Sequence, residues 1–440
     1  MMERLPGFRD FYPEPVPEGD ALAWSASLRE HIFRTWRRVA QRYGFVEYDG
    51  PPLEPLGLYK VKSGDEIVQQ LYHFVDKGAR EVALRPEMTP TLARMIAAQF
   101  RQYKKPLKWF AIPQLFRYER QQKGRLREHF QFNADIVGEP DPGADAEVIA
   151  LLVDILRAFG FSPADVVVRI SSRSAWQEFY RRHAASSAKD ASGEYAFYQI
   201  IDKLERTPLD ESKKKLAALG IAWEQVEAFL QESPPTVELA AVIENLHARG
   251  LASYVQTDYR IIRGLAYYTG VVFEAFDRQG QFRAIAGGGR YDHLIRLLSG
   301  GRLDLPALGF GMGDVVLTEL IRARGLAPNS SARIQVFCLL ENKALDKPTL
   351  QLVQQLRDAG VAVDHPLGPE KSDKQFRRAR EAGARILVTM EQAPDGMVQA
   401  KVRDLLTRQA ISCTLHEATG VVLRWLASPE NAAQPAQILP

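Results

Sequence analysis

Basic side chains concentrate between residues 101 and 127, where the chain carries nine lysines and arginines but one acid, Glu119. The densest part is the turn QQKGRLR, which places Lys123, Arg125 and Arg127 around a glycine. Most charge runs are solvated faces, yet this one is interleaved with the apolar stretch LKWFAIPQLF, so a plain surface role explains it less well. A local block of positive charge favours a polyanionic partner.

The segments on both sides of this turn alternate in polarity, as half-buried strands do. In FRYE, Arg117 and Glu119 fall on one face. In FQFNAD, alternate positions separate an apolar set, Phe130, Phe132 and Ala134, from a polar set, Gln131, Asn133 and Asp135. Antiparallel pairing of the two segments would bring all the polar positions onto one face of a hairpin. That face could be an ordinary solvent-facing sheet or one wall of a binding site.

The arginine on the first strand favours the binding site. Guanidinium groups bind phosphate through two parallel hydrogen bonds, and Arg117 would be held on a rigid strand beside the cationic turn. We therefore predict that the hairpin clamps a phosphate-bearing molecule.

Two further segments carry candidate site residues. In EVALRPEMTPTLARMIAAQF, a short apolar strand leads to Glu87, and an amphipathic helix follows in which Thr89 could be the N-cap and Pro90 the first-turn residue. In the later block VVFEAFDRQGQFRAIAGGGRYD, we predict VVFEAF and FRAIA as paired strands with DRQGQ as their turn. Three glycines within a strand pattern, Gly287 to Gly289, indicate either a bulge or a close approach by a ligand or another backbone.

The composition is that of a globular protein with more than one domain. The chain has 440 residues, of which 46% are hydrophobic and 25% charged, and two or three domains are expected at this length. No apolar run approaches membrane-spanning length, and the N-terminus lacks the apolar stretch of a secretory signal, so we expect a cytoplasmic protein. The two cysteines, Cys338 and Cys413, lie far apart without metal-ligand spacing, which argues against a zinc site or a disulfide framework.

The elements that must position the candidate residues change character along the chain. Residues 20–44 have a helical pattern that ends in a glycine, and an extended segment follows up to Pro51 and Pro52. Residues 172–250 have mainly helical patterns. After a linker-like stretch at residues 327–331, strands and helices alternate, which predicts a small α/β domain with a partly parallel sheet.

Taken together, these segments resemble the class II aminoacyl-tRNA synthetases. FRYERQQKGRLREHFQFNADI is similar to motif 2 in the form used by histidyl-tRNA synthetases, and EVALRPEMTP is similar to the LRPEGTP motif of that family. RGLAYY and GGGRYD resemble its two histidine-specific motifs, and PALGFGMGDVVLTEL stands where motif 3 belongs. KSDKQFRRAREAGARILV resembles the family's C-terminal anticodon-binding domain. The resemblance covers most of the chain, roughly residues 5 to 425.

The resemblance implies an architecture. Residues 1–328 would form an α+β catalytic domain of the class II synthetase type, an antiparallel sheet flanked by helices, with a helical insertion at residues 172–250. Residues 329–427 would form the α/β anticodon-binding domain, and residues 428–440 a flexible tail. The helix and strand before Pro51 would be motif 1, which in this class forms the interface of a homodimer.

The resemblance also implies an activity, the ATP-dependent ligation of L-histidine to its tRNA through a histidyl-adenylate intermediate. Magnesium is expected on the ATP phosphates. The partners would be histidine, ATP, the tRNA for histidine and a second copy of the chain, with no membrane. Little covalent chemistry is asked of such a protein, which must position the reactants and offset developing charge.

The family's functional residues carry over position by position. Arg117 and Arg263 would act as the catalytic residues by holding the α-phosphate. The ATP-binding residues would be Arg117, Arg263, Glu119 at the adenine and Arg125 at the terminal phosphates. The histidine-binding residues would be Glu87 at the α-amino group, with Thr89, Gln131, Asp135, Tyr267 and Tyr268. Tyr291 would lie nearby, and no resident metal ligand is assigned.

Several positions depart from the family pattern. Met88 replaces a glycine, and Ala266 stands where an acid is usual. In motif 3, Val315 replaces the usual acid, and Val316 replaces the arginine that most class II enzymes carry.

Two alternatives follow. The missing arginine favours a synthetase-derived histidine-binding regulatory subunit without ligase activity, which the intact motif 2 and the C-terminal domain oppose. A synthetase for proline or threonine is opposed by RGLAYY together with GGGRYD.

Overall fold

The computed structural model describes residues 3–63, 65–118, 124–205, 207–262, 268–328, 334–368 and 370–428. The chain divides into two compact units, Met1–Ala327 and Pro328–Pro440. This division falls one residue before the predicted domain boundary. Among the residues that the structure describes, no helix combines the length and the hydrophobicity that a membrane span requires.

The first unit combines a large sheet, two small sheets and surrounding helices. Its strands in the described ranges are β1 (Asp10–Tyr12), β2 (Ala23–Ser25), β3 (Val46–Glu47), β4 (Leu53–Pro55), β5 (His73–Val75), β6 (Glu81–Leu84), β7 (Leu107–Ala111), β8 (Gln114–Phe116), β9 (Glu128–Val137), β10 (Val166–Ser172), β11 (Val255–Thr257), β12 (Val271–Asp277), β13 (Ala286–Arg290) and β14 (Ala307–Gly313). Its helices there are α1 (Ala26–Arg42), α2 (Leu56–Ser63), α3 (Thr89–Gln99), α4 (Pro142–Ala158), α5 (Arg173–His183), α6 (Ala191–Asp202), α7 (Leu209–Ala218), α8 (Trp223–Glu232), α9 (Val237–Ala248), α10 (Leu294–Leu298) and α11 (Asp314–Ala323).

The large sheet has the strand order β11-β10-β12-β13-β14-β9-β7-β3, and β8 pairs with β9 beside this path. The two outermost pairs, β11 with β10 and β7 with β3, are parallel, whereas every pair between them is antiparallel. The predicted α+β fold, an antiparallel sheet flanked by helices, is confirmed. Two smaller sheets join β1 with β2, and β4 with β6 and β5.

Strand β9 has two faces of different chemistry, as its alternation predicts. Phe132 and Ala134 are fully buried and pack in the main core with Trp36 of α1. The opposite face is also withdrawn from solvent, because Asn133 and Asp135 are 7% and 4% exposed. The polar face is therefore not an ordinary solvent-facing sheet.

Helix α1 begins later than its periodicity predicts. The pattern starts at residue 20, but residues 23–25 form β2, and the helix begins after Ser25. The Ser25 hydroxyl accepts a hydrogen bond from the Leu28 amide and so satisfies one of the unpaired donors of the first turn.

The region between residues 172 and 250, predicted to be mainly helical, contains α5, α6, α7, α8 and α9. Its side chains do not form a core of their own. Trp176, Phe197 and Leu239 belong to the same buried cluster as the sheet residues, and the Trp176 indole donates to the Tyr259 carbonyl at 2.8 Å. This region is therefore packed as part of the first unit.

The three-glycine strand lies later than expected. The prediction placed a strand at FRAIA, but β13 contains AGGGR and pairs in continuous register with β12 and β14. A Cβ added at Gly288 would lie 2.1 Å from the Gly309 carbonyl oxygen, and one at Gly289 would lie 2.8 Å from the Val271 carbonyl oxygen. These two glycines permit close approach of neighbouring backbone, and the alternative of a bulge is wrong.

The second unit is a small α/β domain with its own buried clusters. Its elements in the described ranges are β15 (Val336–Leu339), β16 (Val363–Asp364), β17 (Ile386–Gln392), β18 (Val398–Asp404), β19 (Ala410–Thr414), α12 (Asp346–Asp358), α13 (Ser372–Glu381) and α14 (Leu415–Ala427). The sheet order is β16-β15-β17-β18-β19, parallel over the first three strands and antiparallel beyond them. The predicted partly parallel sheet is confirmed.

Candidate active site

Two adjoining cavities lie on the polar face of the large sheet. The smaller has a volume of about 110 Å³ and the larger about 690 Å³. They share four lining residues, Arg117, Gln131, Gly287 and Gly311. A molecule in one cavity would therefore meet a molecule in the other beside Arg117.

The smaller cavity brings together predicted residues from four parts of the sequence. Its lining residues include Glu87, Thr89, Arg117, Gln131, Asn133, Asp135, Tyr268 and Tyr291. The predicted Arg263 and Tyr267 lie outside the described residues, as does Ala266. Glu119 and Lys123 of the cationic turn lie outside them too.

Glu87 and Thr89 reach the cavity because of the junction between β6 and α3. Thr89 is the first helical residue rather than the N-cap, a position held by Met88 without a side-chain hydrogen bond. The capping role considered for Thr89 is therefore wrong. Met88 is fully buried and, unlike its two neighbours, does not line the cavity. The replacement of the family's glycine by Met88 therefore does not change the lining of this cavity.

Arginine side chains hold this junction in place. Arg85 is 4% exposed, and its guanidinium donates to the Gly50 carbonyl at 2.6 Å and to an Asp49 carboxylate oxygen at 2.9 Å. The Arg117 Nε donates to the Pro86 carbonyl at 3.0 Å. Arg117 is therefore anchored next to Glu87 by its own side chain.

Strand β14 makes room for the polar side chains of β9 because it lacks side chains at two positions. A Cβ at Gly309 would lie 2.1 Å from Asp135 Oδ1, and a Cβ at Gly311 would lie 2.7 Å from Gln131 Nε2. Any larger residue would displace these groups, so the alternating glycines of motif 3 help to shape the cavity.

Asp135 lies at the buried end of the cavity. The Tyr291 hydroxyl donates a hydrogen bond to its Oδ1. Burial raises the pKa of Asp135 to about 7, and the hydrogen bond from Tyr291 partly opposes that rise. This carboxyl group therefore changes charge near neutral pH.

The larger cavity contains the cationic residues of the hairpin. Arg117 and Arg125 line it, together with the apolar Val315 and Val316 of α11. His129 also lines it, and burial, followed by the charges of nearby arginines, lowers the pKa of His129 to about 3. The imidazole is therefore neutral at physiological pH.

Arg127, the last basic residue of the turn, lies outside both cavities. Its guanidinium lies over the Tyr118 ring, 4.5 Å from the centroid.

Sequence reasoning missed several lining residues. Asn133 was predicted on the polar face but without a role, and His129 follows the same period-two alternation, a signal that was sufficient to find it. Arg283 lines the larger cavity but was placed inside a predicted strand, and no local pattern marked it.

A buried ion network supports the floor of the site. Arg9 pairs with Glu128 at 2.7 Å and with Asp314 at 2.8 Å, and the side chains of all three are at most 2% exposed. Asp314 also accepts a hydrogen bond from the Phe130 amide at 3.0 Å. The N-terminal segment, β9 and the first turn of α11 are thus held together.

A mainly antiparallel sheet, with Arg117 directly after the end of β8 and between two adjoining cavities, is the arrangement expected of a class II aminoacyl-tRNA synthetase. The model of the histidyl-tRNA synthetase family matches residues 19–314, more than half of the chain. A histidine–tRNA ligase of Opitutus terrae is 45% identical over 430 residues, covering 92% of this chain and 94% of the relative. The chloroplastic/mitochondrial histidine–tRNA ligase of Arabidopsis thaliana is 39% identical, covering 90% of this chain and 82% of the relative.

A solved structure agrees on the fold. The crystal structure of histidyl-tRNA synthetase from Nostoc sp. PCC 7120 has a TM-score of 0.74 at 24% identity, covering 94% of this chain and 98% of that one. The chain belongs to the histidyl-tRNA synthetase family. The predicted activity, ATP-dependent ligation of histidine to tRNA, is confirmed at the level of the family, and neither relative is named a regulatory subunit.

Proposed function

We propose that the smaller cavity binds histidine and the larger cavity binds ATP, so that the two substrates meet beside Arg117. The observation that carries this proposal is the shared wall of the two cavities. In the reaction, a carboxylate oxygen of histidine attacks the α-phosphorus of ATP. The bond from that phosphorus to the pyrophosphate oxygen breaks, and pyrophosphate leaves as histidyl-adenylate forms.

In this arrangement the acidic groups of the smaller cavity recognise the two nitrogen-bearing ends of histidine. Glu87 pairs with the α-ammonium group, and Asp135, oriented by Tyr291, accepts a hydrogen bond from the imidazole. Thr89, Gln131 and Tyr268 complete the pocket, and the same role is proposed for Tyr267.

On the ATP side, Arg117 stabilises the charge that develops on the α-phosphate, because a donor fixed in advance needs no reorganisation during the reaction. Arg117 suits this role because its Nε is already fixed on the Pro86 carbonyl. Arg263 would contact the same phosphate from the other side. Arg125 would bind the terminal phosphates, and Glu119 would orient the adenine.

Magnesium would accompany the phosphates and offset part of their charge. The described residues contain no cluster of three or more histidine, cysteine or acidic groups that could hold a metal alone. Magnesium commonly binds through one or two carboxylates together with substrate phosphates. Glu274, which lines the larger cavity, supplies such a carboxylate.

The second unit would bind the anticodon region of the tRNA. Helix α13 and the residue before it carry four exposed cations, Lys371, Lys374, Arg377 and Arg380. A cationic helix suits a polyanion such as RNA.

A homodimer remains a proposal for which exposed apolar side chains give support. Val46 on β3 is 62% exposed, and Phe74 and Val75 on β5 are 50% and 63% exposed, all on strands at sheet edges. Pairing with a second copy would cover such surface. A cytoplasmic location likewise remains a prediction.

Separate substitutions in the two cavities test the assignment through histidine-dependent exchange between ATP and pyrophosphate. Glu87→Gln should raise the KM for histidine by about ten- to a hundredfold, because an amide cannot pair with the ammonium charge, and leave the KM for ATP nearly unchanged. Arg125→Ala should do the reverse. Glu81→Gln, an exposed change on the same strand as the junction, is the matched control. A larger effect of Glu87→Gln on ATP than on histidine would contradict the assignment.

A further inference from the structure

Arg283 is an exposed arginine that lines the larger cavity without belonging to the motif 2 hairpin. It lies in the connection between β12 and β13, three residues before β13 begins. The connection therefore brings a cation to the cavity from a different part of the sheet than Arg117 and Arg125.

Arg283 and Val316 flank the same glycine of the cationic turn. A Cβ added at Gly124 would lie 3.4 Å from Val316 Cγ2 and 3.8 Å from Arg283 Cδ. The side chain at Gly124 is a single hydrogen, so the chain of the turn, Val316 and the stem of Arg283 meet in one place. Arg283 thus brings a guanidinium next to Val316, which occupies the position of the motif 3 arginine.

The charges that line the larger cavity favour an anion beside these arginines. Two of its three carboxylates are paired with arginines, Asp277 with Arg324 at 2.6 Å and Glu205 with Arg169 at 3.4 Å. The described lining of the cavity contains four arginines, Arg117, Arg125, Arg169 and Arg283, and three carboxylates, so that arginines outnumber acids around it.

Like charges gathered around one cavity repel each other, and a bound polyanion removes that repulsion. The triphosphate of ATP carries the required charge. Guanidinium groups bind phosphate oxygens through paired hydrogen bonds, so two arginines from different elements can hold different oxygens of one terminal phosphate.

We propose that Arg283 binds the terminal phosphates of ATP together with Arg125 and supplies the positive charge that Val316 does not. This inference rests on the proposed assignment of the larger cavity to ATP and adds one substrate-binding residue to it. Arg283 does not reach the smaller cavity, so histidine binding is independent of it.

The first test is Arg283→Ala, measured by histidine-dependent exchange between ATP and pyrophosphate. The KM for ATP should rise by about ten- to a hundredfold, the range for a hydrogen bond to a charged group, while the KM for histidine stays within about twofold. Arg283→Lys should recover part of the loss, because lysine restores the charge without the paired hydrogen bonds. Arg278→Ala, on the same connection but outside the cavity, should leave the KM for ATP unchanged.

A second test places an arginine at the motif 3 position of a variant that lacks Arg283. In the Arg283→Ala background, Val316→Arg should lower the KM for ATP again, because both side chains adjoin Gly124 and the new arginine can enter the space that Arg283 leaves. Val316→Arg in the wild-type background serves as the folding control, read by thermal unfolding.

Direct binding separates phosphate recognition from base recognition. Titration calorimetry should show that Arg283→Ala weakens ATP binding much more than AMP binding. Equal losses for ATP and AMP, or an unchanged KM for ATP, would overturn the proposal. Arg117→Ala in the same assays keeps this outcome distinct: if Arg117→Ala abolishes exchange while Arg283→Ala leaves the KM for ATP unchanged, the ATP site stands and the role of Arg283 falls.

Discussion

The burial of Asp135 predicts how strongly the stability of the protein depends on pH. Burial raises its pKa from the ordinary 3.8 to about 7, and the hydrogen bond from Tyr291 offsets part of the rise. Because a tenfold change in proton affinity is worth about 1.4 kcal/mol, the ionised carboxylate destabilises the ligand-free protein by about 4 kcal/mol above pH 7. Asp135→Asn removes the charge, keeps the shape and retains an oxygen that can accept from Tyr291.

The direction of the pH dependence follows from proton counting. Between about pH 4 and pH 7 the folded protein keeps the Asp135 proton, whereas the unfolded chain has released it. Stability therefore falls as pH rises through this window and is constant above it. The Asp135→Asn variant lacks this component, so it should be more stable than wild type by about 4 kcal/mol at pH 8 and by much less near pH 4.

Urea unfolding at several pH values, followed by tryptophan fluorescence, measures this difference. Five of the six tryptophans precede residue 328, so the signal reports mainly the unit that contains Asp135. Asp210→Asn, an exposed change on α7, is the control and should follow the pH dependence of wild type. Parallel stability curves for wild type and Asp135→Asn from pH 4 to pH 8 would refute the reasoning.

The affinity for histidine should also depend on the charge of Asp135. The ionised Asp135 can accept a charge-assisted hydrogen bond from the imidazole. The protonated carboxyl group is a weaker acceptor. Wild-type affinity for histidine should therefore increase from pH 6 to pH 8. In Asp135→Asn the affinity should be weaker at pH 8 and should follow only the titration of histidine itself.

Two other perturbations test the shape of the site and the division of the chain. Gly309→Ala would place a Cβ 2.1 Å from Asp135 Oδ1 and 2.6 Å from the Ala134 carbonyl oxygen, so it should lower stability by about 1–3 kcal/mol and raise the KM for histidine. Gly57→Ala, where the added Cβ meets nothing within 4 Å, is the control in thermal unfolding. A chain that ends before residue 329 should keep histidine activation and lose most tRNA charging, and equal loss of both in a folded truncated protein would contradict this division.

Local pattern was sufficient for the return strand of the hairpin, whereas the first strand ends at Phe116, one residue before the Arg117 that was predicted to lie on it. The alternation in FQFNAD separates core residues from cavity residues correctly, because a strand has a side-chain period of two. The same period contains His129 and Asn133, which also line the cavities. Helices α1 and α3 were also readable, apart from the start of α1, where a serine cap and a short strand compete with the periodicity.

Contacts between residues that are far apart in the sequence could not be predicted from local pattern. The space for Asp135 exists because Gly309 lies opposite it in the register of β9 and β14, and those residues are far apart in the sequence. Arg9 pairs with Asp314, which lies 305 residues away. Arg283 lies before the strand because β13 begins at Ala286 rather than at FRAIA, and pairing with β12 and β14 decides that boundary.

The replacement of the motif 3 arginine involves more than position 316. In this chain Asp314 begins α11, pairs with Arg9 and accepts the Phe130 amide, so a buried ion pair fixes the start of the helix beside β9. Val316 is 8% exposed, belongs to the main core and presents an apolar wall to the cavity. An arginine there would have to leave the core to reach a ligand. Positive charge is needed beside the phosphates, but it need not come from α11, because Arg283 adjoins the same glycine from another element. A missing arginine in motif 3 is therefore weak support for a non-catalytic protein as long as the cavity holds an equivalent cation, and a chain that lost both would be the one expected to bind histidine without activating it.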